Sequence, residues 1–291
     1  MNEEPSAGPD AFEAERRYLG AVAYRLLGTV TDAEDVLQDA WLRWRGTDRS
    51  AVADPRAFLT TVVTRLCYDH LGSARARRES YVGEWLPEPR LTDEDRPARL
   101  AEFGQSVSFA VLALMERLTP AERTAFVLHD LFAVGFEEIA GALDRSPAAV
   151  RQLASRARRR LRAEGRRGRI APNEHRAAVR AFTEAAAGGD LGALLAVLDP
   201  QVVWHSDGGG VVSASMRPVY GAEKVARLVL GLVERFITPD VAVATVSVDG
   251  EPGLAWSVGG QVRGVLAFTV VDGRIHEAYA VVNPEKLAHL V

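Results

Sequence analysis

Leu118-Thr-Pro-Ala-Glu-Arg123, Phe136-Glu-Glu-Ile-Ala140 and Ser146-Pro-Ala-Ala-Val-Arg-Gln-Leu-Ala-Ser-Arg-Ala157 follow one another closely along the chain. Thr119 before Pro120, with Glu122 three positions on, is a helix start in which a hydroxyl and a carboxylate satisfy the first free amides. Ser146-Pro147 is a second such start. A short helix from Phe136 to Leu143 falls between them. The stretch therefore predicts two short helices, a tight turn and a third helix reaching about Glu164, which is the order of a helix-turn-helix.

In the third helix Val150, Leu153, Ala157 and Leu161 recur on one face and turn Arg151, Gln152, Ser155, Arg156, Arg158, Arg159 and Arg162 elsewhere. Such a helix suits a major groove, where Arg pairs with guanine, Gln with adenine, and further guanidinium groups neutralise phosphates. A solvated basic face is the plainer alternative, and the helix-turn-helix context weighs against it. Charge along the chain agrees. Residues 145–174 hold 10 Arg against Glu164 and Glu174, whereas residues 1–144 hold 25 acidic residues against 16 Arg. The formal net charge of -4 thus conceals a local polyanion-binding block.

Upstream, Thr31-Asp-Ala-Glu34 reads as a capping box, followed by a buried stripe of Ala33, Val36, Leu37, Ala40, Trp41 and Trp44. Opposite that stripe lie Asp35, Gln38, Asp39 and Leu42, an acidic row with one exposed leucine that suits a partner basic at its rim and apolar at its centre. Asp54-Pro55 starts the next helix, with Leu59, Val62, Val63, Leu66 and Cys67 as its stripe and an end near Gly72. Its polar residues include Arg56, Thr60, Arg65, Tyr68 and Asp69, followed by Arg75, Arg77 and Arg78. Arg and aromatic groups on one face can hold a single strand by phosphate contact and stacking. With a helix from about Phe12 to Leu27, these complete a three-helix unit over residues 10–79.

Residues 80–108 lose the helical period. They place Pro87, Pro89 and Pro97 among Glu84, Glu88, Asp93, Glu94 and Asp95, and read as an acidic linker. Trp85 and Leu86 are apolar within it, which predicts docking on a neighbouring domain. The helix-turn-helix unit occupies 109–168. Beyond it, 173–291 alternates helices (about 173–187, 190–198 and 222–236) with strands near 202–204, 241–248, 254–258, 261–271 and 274–282. Asp272-Gly273 between two alternating runs is a hairpin turn, so the last domain is α+β.

Several classes are excluded or disfavoured. Cys67 is the single cysteine, which rules out an internal disulfide and a thiolate zinc cluster, and the scattered histidines offer no ligand spacing. No metal or cofactor is expected. No apolar run reaches membrane-span length and the polar start has no signal-peptide layout, so a cytoplasmic location is expected.

Tyr24-Arg-Leu-Leu-Gly28 with Asp32-Ala-Glu-Asp-Val-Leu-Gln-Asp-Ala-Trp-Leu-Arg-Trp44 resembles region two of bacterial RNA polymerase sigma factors of the extracytoplasmic-function class, and the opening motifs resemble their region four. Trp85-Leu-Pro-Glu-Pro89, Asp207-Gly-Gly-Gly210 and Asn283-Pro-Glu-Lys-Leu287 resemble the sigma-J-like subfamily, in which a SnoaL-like (NTF2-like) cone is fused at the C-terminus. The resemblance implies two all-α sigma domains followed by that α+β cone. It implies that Asp35, Gln38, Asp39 and Leu42 bind the β′ subunit of the polymerase core, with further contacts to β. It assigns Arg49, Arg56, Arg65, Asp69 and Arg75 to opening and reading the minus-ten element, and Arg151, Gln152, Ser155, Arg156, Arg158 and Arg159 to the minus-thirty-five element. Trp85, Leu86, Pro87, Asp207, Gly208, Gly209, Gly210, Asn283, Pro284, Lys286 and Leu287 would form an interdomain regulatory contact. The subfamily usually continues the glycine run with lysine, where this chain has Val211.

Trp204, His205, Asp207, Trp256 and His276 are expected to line any pocket in the cone, which leaves an unknown small ligand and an enzyme reading open beside the regulatory one. Two rival readings of the whole chain are a helix-turn-helix regulator with a ligand-sensing domain, and a cyclase with a helical appendage.

Overall fold

A computed structural model describes residues 9–79, 81–92, 107–164 and 172–290, apart from the side chains of 9–10, 73–79, 92 and 164. The chain forms two compact units. Described residues 9–79 and 115–163 make the first, and 81–92, 107–114 and 172–290 the second.

The first unit is helical. Helices α1 (Pro9–Leu27), α2 (Val30–Arg45) and α3 (Pro55–Glu79) pack together around Phe12, Leu19, Val22, Leu26, Val36, Leu37, Trp44, Leu59, Val63 and Cys67. Gly28, at φ +79°, closes α1 and leaves Thr29 extended as the N-cap of α2. The cap therefore falls at Thr29 rather than Thr31, and the Thr29 hydroxyl donates to Asp32 at 2.6 Å. Trp41 is half-buried beneath the Arg45 guanidinium, 4.8 Å from the ring centroid, so it flanks the buried stripe. Helix α3 runs through Gly72, which has open space around it, and ends at Glu79 instead of near 72.

Helix α4 (Phe109–Met115) precedes α5 (Pro120–Phe126), which continues through a π-turn at Val127–Leu131. Thr119 and Glu122 form the reciprocal capping box at its start. Helix α6 (Phe136–Leu143) ends on Asp144 in the left-handed conformation (φ 52°), and α7 (Pro147–Glu164) follows. Val150, Leu153, Ala154, Ala157 and Leu161 are its buried face.

The second unit is built on a sheet of seven strands among the described residues: β1 (Leu91–Thr92), β2 (Leu198–Asp207), β3 (Val219–Tyr220), β4 (Val241–Val248), β5 (Glu251–Val258), β6 (Gln261–Val271) and β7 (Arg274–Val281). The order is β1-β4-β5-β6-β7-β2-β3, antiparallel except where β2 runs parallel to β7. Asp272 and Gly273 both take positive φ (49° and 73°), as the tight β6–β7 hairpin requires. Alternation sends Trp204, Leu266, Phe268, Ala278 and Ala280 to one face, where α8 (Pro172–Ala187), α9 (Leu191–Val197) and α10 (Ala222–Phe236) cover them. Val265, Ala267, Tyr279 and Val281 point to the other face. There Leu86, Phe109, Ala110 and Leu287 of α11 (Pro284–Leu287) form a second core.

The linker contributes a strand to the sheet, and residues 109–114 at the start of the helix-turn-helix segment pack on that sheet.

Candidate functional site

On α7, Arg151, Gln152, Ser155, Arg156 and Arg159 are exposed. Arg158 is half-buried and donates to Asp130 at 2.6 Å. Arg151 meets Glu137 at 3.2 Å, and Glu122, buried by its capping role, takes Arg160 at 2.9 Å and Arg156 at 3.7 Å. Asp35, Gln38 and Asp39 are exposed on α2 with Leu42, 51% accessible, beside them.

The residues expected at the minus-ten element are partly engaged. Arg56 lies 4.0 Å above the Tyr18 ring and 3.5 Å from Glu15, Arg49 lies over Trp44, and Asp69 is exposed. Arg65 donates to the carbonyl of Gly141 in α6 at 2.9 Å. The side chain of Arg75 lies outside the described residues. Helix α3 packs against α5 and α6, so the helix-turn-helix rests on the three-helix part of the same unit. Arg123, 2% exposed, donates twice to the Arg25 carbonyl at the end of α1, at 3.3 and 3.4 Å, and pairs with Glu116. Tyr18 meets Phe132 edge to face at 5.5 Å. Nothing in the local sequence marks the Arg123 guanidinium as buried.

In the second unit the linker is bound at a built site. Asp207, fully buried at the end of β2, accepts from the Tyr81 hydroxyl (2.6 Å), the Leu86 amide (2.8 Å), the Gly209 amide (3.0 Å) and Lys286 Nζ (2.6 Å). Lys286, 5% exposed, also donates to the Leu86 carbonyl and sits 3.8 Å over the Trp85 ring. A buried ammonium is thus met by carboxylate, carbonyl and aromatic face. Asn283 caps α11 and donates to Tyr81 Oη at 2.8 Å. Burial, reinforced by Asp207, pushes the Tyr81 phenol upward, so it stays a donor.

Gly209, at φ +65°, lies so close to Asn283 that a Cβ would stand 2.4 Å from its amide nitrogen. Gly210 abuts Val82, and a Cβ on Gly208 would come within 2.3 Å of the Val212 carbonyl oxygen. Pro87 is buried among the docked residues, Pro284 opens α11, and Val211 faces solvent at 68% exposure. Sequence reasoning missed Tyr81, Glu84 and His289. Glu84 meets His205 Nδ1 at 2.7 Å, His205 stacks on Tyr279, and His289 Nε2 lies 2.9 Å from the Pro89 carbonyl.

The five expected pocket residues do not converge. Trp204 and Trp256 belong to the helix-covered face, His205 and Asp207 to the linker face, and His276 pairs with Asp199 at 3.6 Å. The period of two along β2 separates neighbours onto opposite faces. Phe182, Trp204 and Phe268 occupy the space beneath the helices. An open groove of about 810 Å3 lies elsewhere, between α8 and α9, lined by Glu174, Ala181, Glu184 and Asp190 among others. Among the described residues no His, Cys, Asp and Glu cluster could hold a metal, and no helix is long and apolar enough to cross a membrane.

Comparisons with known proteins fit this division. Family models for Sigma-70 region 2, Sigma-70 region 4 and a SnoaL-like domain match residues 11–77, 108–161 and 179–278. The ECF RNA polymerase sigma factor SigJ of Mycobacterium tuberculosis is 44% identical over 288 residues, covering 94% of this chain and 91% of the relative. The probable ECF sigma factor SigI of the same species is 35% identical over 280 residues, covering 95% and 93%. The crystal structure of M. tuberculosis SigJ superposes with a TM-score of 0.78 at 40% identity, covering 96% of this chain and 98% of that one.

Proposed function

The chain belongs to the extracytoplasmic-function sigma factors, which direct RNA polymerase to specific promoters, and from that premise we propose that its SnoaL-like domain is a built-in regulator of promoter opening. The observation that carries this reading is the docking of Tyr81–Pro89 on Asp207 and Lys286. The linker is the covalent connection between regions two and four. Held at 81–92 and again at 107–114 on one sheet, it cannot extend as two separately placed promoter elements demand. Because the domain is tethered, its effective concentration is on the order of millimolar, so modest contacts bias the closed state.

In this reading Asp35, Gln38, Asp39 and Leu42 bind the β′ clamp helices in the cytoplasm, and core binding draws the linker away. Arg49, Arg56, Arg65, Asp69 and Arg75 then hold the opened minus-ten strand, offsetting an unstacking cost of a few kcal/mol by contacts made only to extruded bases. Helix α7 reads the minus-thirty-five duplex. The cone acts by docking rather than turnover, a view supported by the divergence of its expected pocket residues onto two faces. A self-sufficient helix-turn-helix regulator leaves the region-two match unexplained.

In vitro transcription with purified core polymerase tests the proposal. Lys286→Met in the full chain and a chain ended after Gly168 are expected to change promoter output relative to the intact protein, with Lys286→Met raising it. Equal output from all three would remove the regulatory role.

A further inference from the structure

Glu122 and Asp130 lie on one run of helix, α5 with its π-turn, and both reach α7. Asp130 Oδ1 accepts from Arg158 Nε at 2.6 Å, the two side chains being 23% and 33% exposed. Glu122, 5% exposed, takes Arg160 at 2.9 Å. Eight residues of uninterrupted α-helix would set Asp130 about 80° round the axis from Glu122. A π-turn closes its hydrogen-bonded ring one residue later, so the face advances more slowly and Asp130 is drawn back toward the line of Glu122. The turn is braced just beyond. Ala133 takes a left-handed φ of 55°, the Val134 amide donates to the Leu128 carbonyl at 2.9 Å, and His129 Nδ1 lies 3.1 Å from the Val134 carbonyl. A left-handed backbone at a residue with a Cβ is strained, and the packed surroundings hold it there.

Residues advance about 100° each round α7, which puts Arg158 on one flank of the buried row and Arg160 on the other. Between them, on the side away from the core, are Gln152, Ser155 and Arg159, all exposed. The two carboxylates thus straddle the helix. Asp130 Oδ2 is buried with no hydrogen-bond partner among the described residues, so part of the desolvation cost of the pair is unmet. A partly buried pair of this kind contributes little net stability. What it supplies is a fixed rotation of α7 about its own axis, and with it a fixed choice of outward side chains.

We propose that Asp130 is a positioning residue for promoter recognition: it holds Arg158 against the π-turn and, with Glu122 and Arg160 on the other flank, sets the rotation at which α7 meets the minus-thirty-five duplex. This rests on α7 being the reader of that element, and it divides the arginines of the helix. Arg158 is committed to Asp130 and makes no phosphate contact, whereas Arg159 faces outward. The sign of the effect separates this role from a simple charge effect. A carboxylate beside a DNA-binding face repels phosphate, so on charge alone its removal strengthens binding. As a brace for α7, its removal weakens sequence-specific binding.

Holoenzyme assembled from the full chain and core polymerase tests this, on a promoter that the wild type selects from a library randomised across the minus-thirty-five element. Discrimination is the ratio of binding to that promoter over binding to the same fragment with the element scrambled, measured well below the melting point of each variant. Asp130→Asn and Arg158→Gln are each expected to lower the ratio at least about fivefold, and the double variant no further than either alone. In Arg158→Gln the salt slope of binding should keep its wild-type value, because no phosphate contact is lost. If Asp130→Asn does not fold, the ratio and slope of Arg158→Gln decide. Unchanged discrimination in folded Asp130→Asn, or a slope lowered by about 0.9 in Arg158→Gln, overturns the proposal. A wild type that selects no sequence at that element instead removes the reading of α7, and this role with it.

Discussion

Lys286 and Asp207 are each buried, and each depends on the other as well as on the linker backbone. Removing one partner of such a pair leaves an uncompensated charge and typically costs about 3–5 kcal/mol. Lys286→Met should therefore loosen the docked linker more than its lost volume would suggest. The measurement is amide exchange at Leu86, whose N–H donates to Asp207 and should lose protection in the variant. Gly209→Ala should act in the same direction, since its Cβ would strike Asn283 and its backbone is left-handed. His175 carries a different consequence. Burial lowers its pKa from 6.5 to about 4. The unfolded chain then takes up a proton that the folded one refuses, so stability present above pH 6.5 falls as pH drops toward 4. Between pH 7.5 and 5 the loss is about 2 kcal/mol. Thermal melting at both pH values should show this drop in the wild type and a smaller one in His175→Asn.

At the scale of elements, α7 presents a row of exposed arginines with weak competition from surface carboxylates, the face we propose for duplex DNA, while Arg158 is held by Asp130 at 2.6 Å. Arg156→Ala and Arg159→Ala should each lower the salt dependence of duplex binding by about 0.9 in log–log slope if each neutralises one phosphate. An unchanged slope in titrations across salt concentrations would count against that face. The helices were legible because their determinants are local: Thr119 with Glu122, Ser146 with Pro147, and the stripe from Val150 to Leu161 all lie within a few turns. The cap of α2 was misplaced by two residues because Thr29 and Thr31 both precede an acidic residue, and the backbone at Gly28 chose between them. Strand β1 had no periodicity to announce it, since two residues cannot show a period.

The first unit brings region four against region two through Arg123, Arg65 and Tyr18, so α3 and the helix-turn-helix are held at one spacing. Binding of core polymerase is expected to separate them. Fluorophores at Glu13→Cys and Ala148→Cys report this by energy transfer, because Cys67 is fully buried with its thiol pKa pushed upward and should not be labelled. Transfer should fall when core is added, and constant efficiency in a transcribing complex would exclude the separation.

The sequence by itself determined the helices, the helix-turn-helix, the basic block, the α+β end of the chain and the motifs that align with sigma regions two and four, all of them patterns written in short spans or in composition. It also marked Trp85 and Leu86 as anomalous in an acidic strap. What they touch is set by the packing of distant segments. The Leu86 amide and Asp207 are separated by 121 positions, and their meeting depends on β2 lying parallel to β7 and on α11 returning Lys286 to the same face. Periodicity records how a residue faces its own element; the partner across the molecule is set by which faces the fold stacks, and no local spacing encodes that.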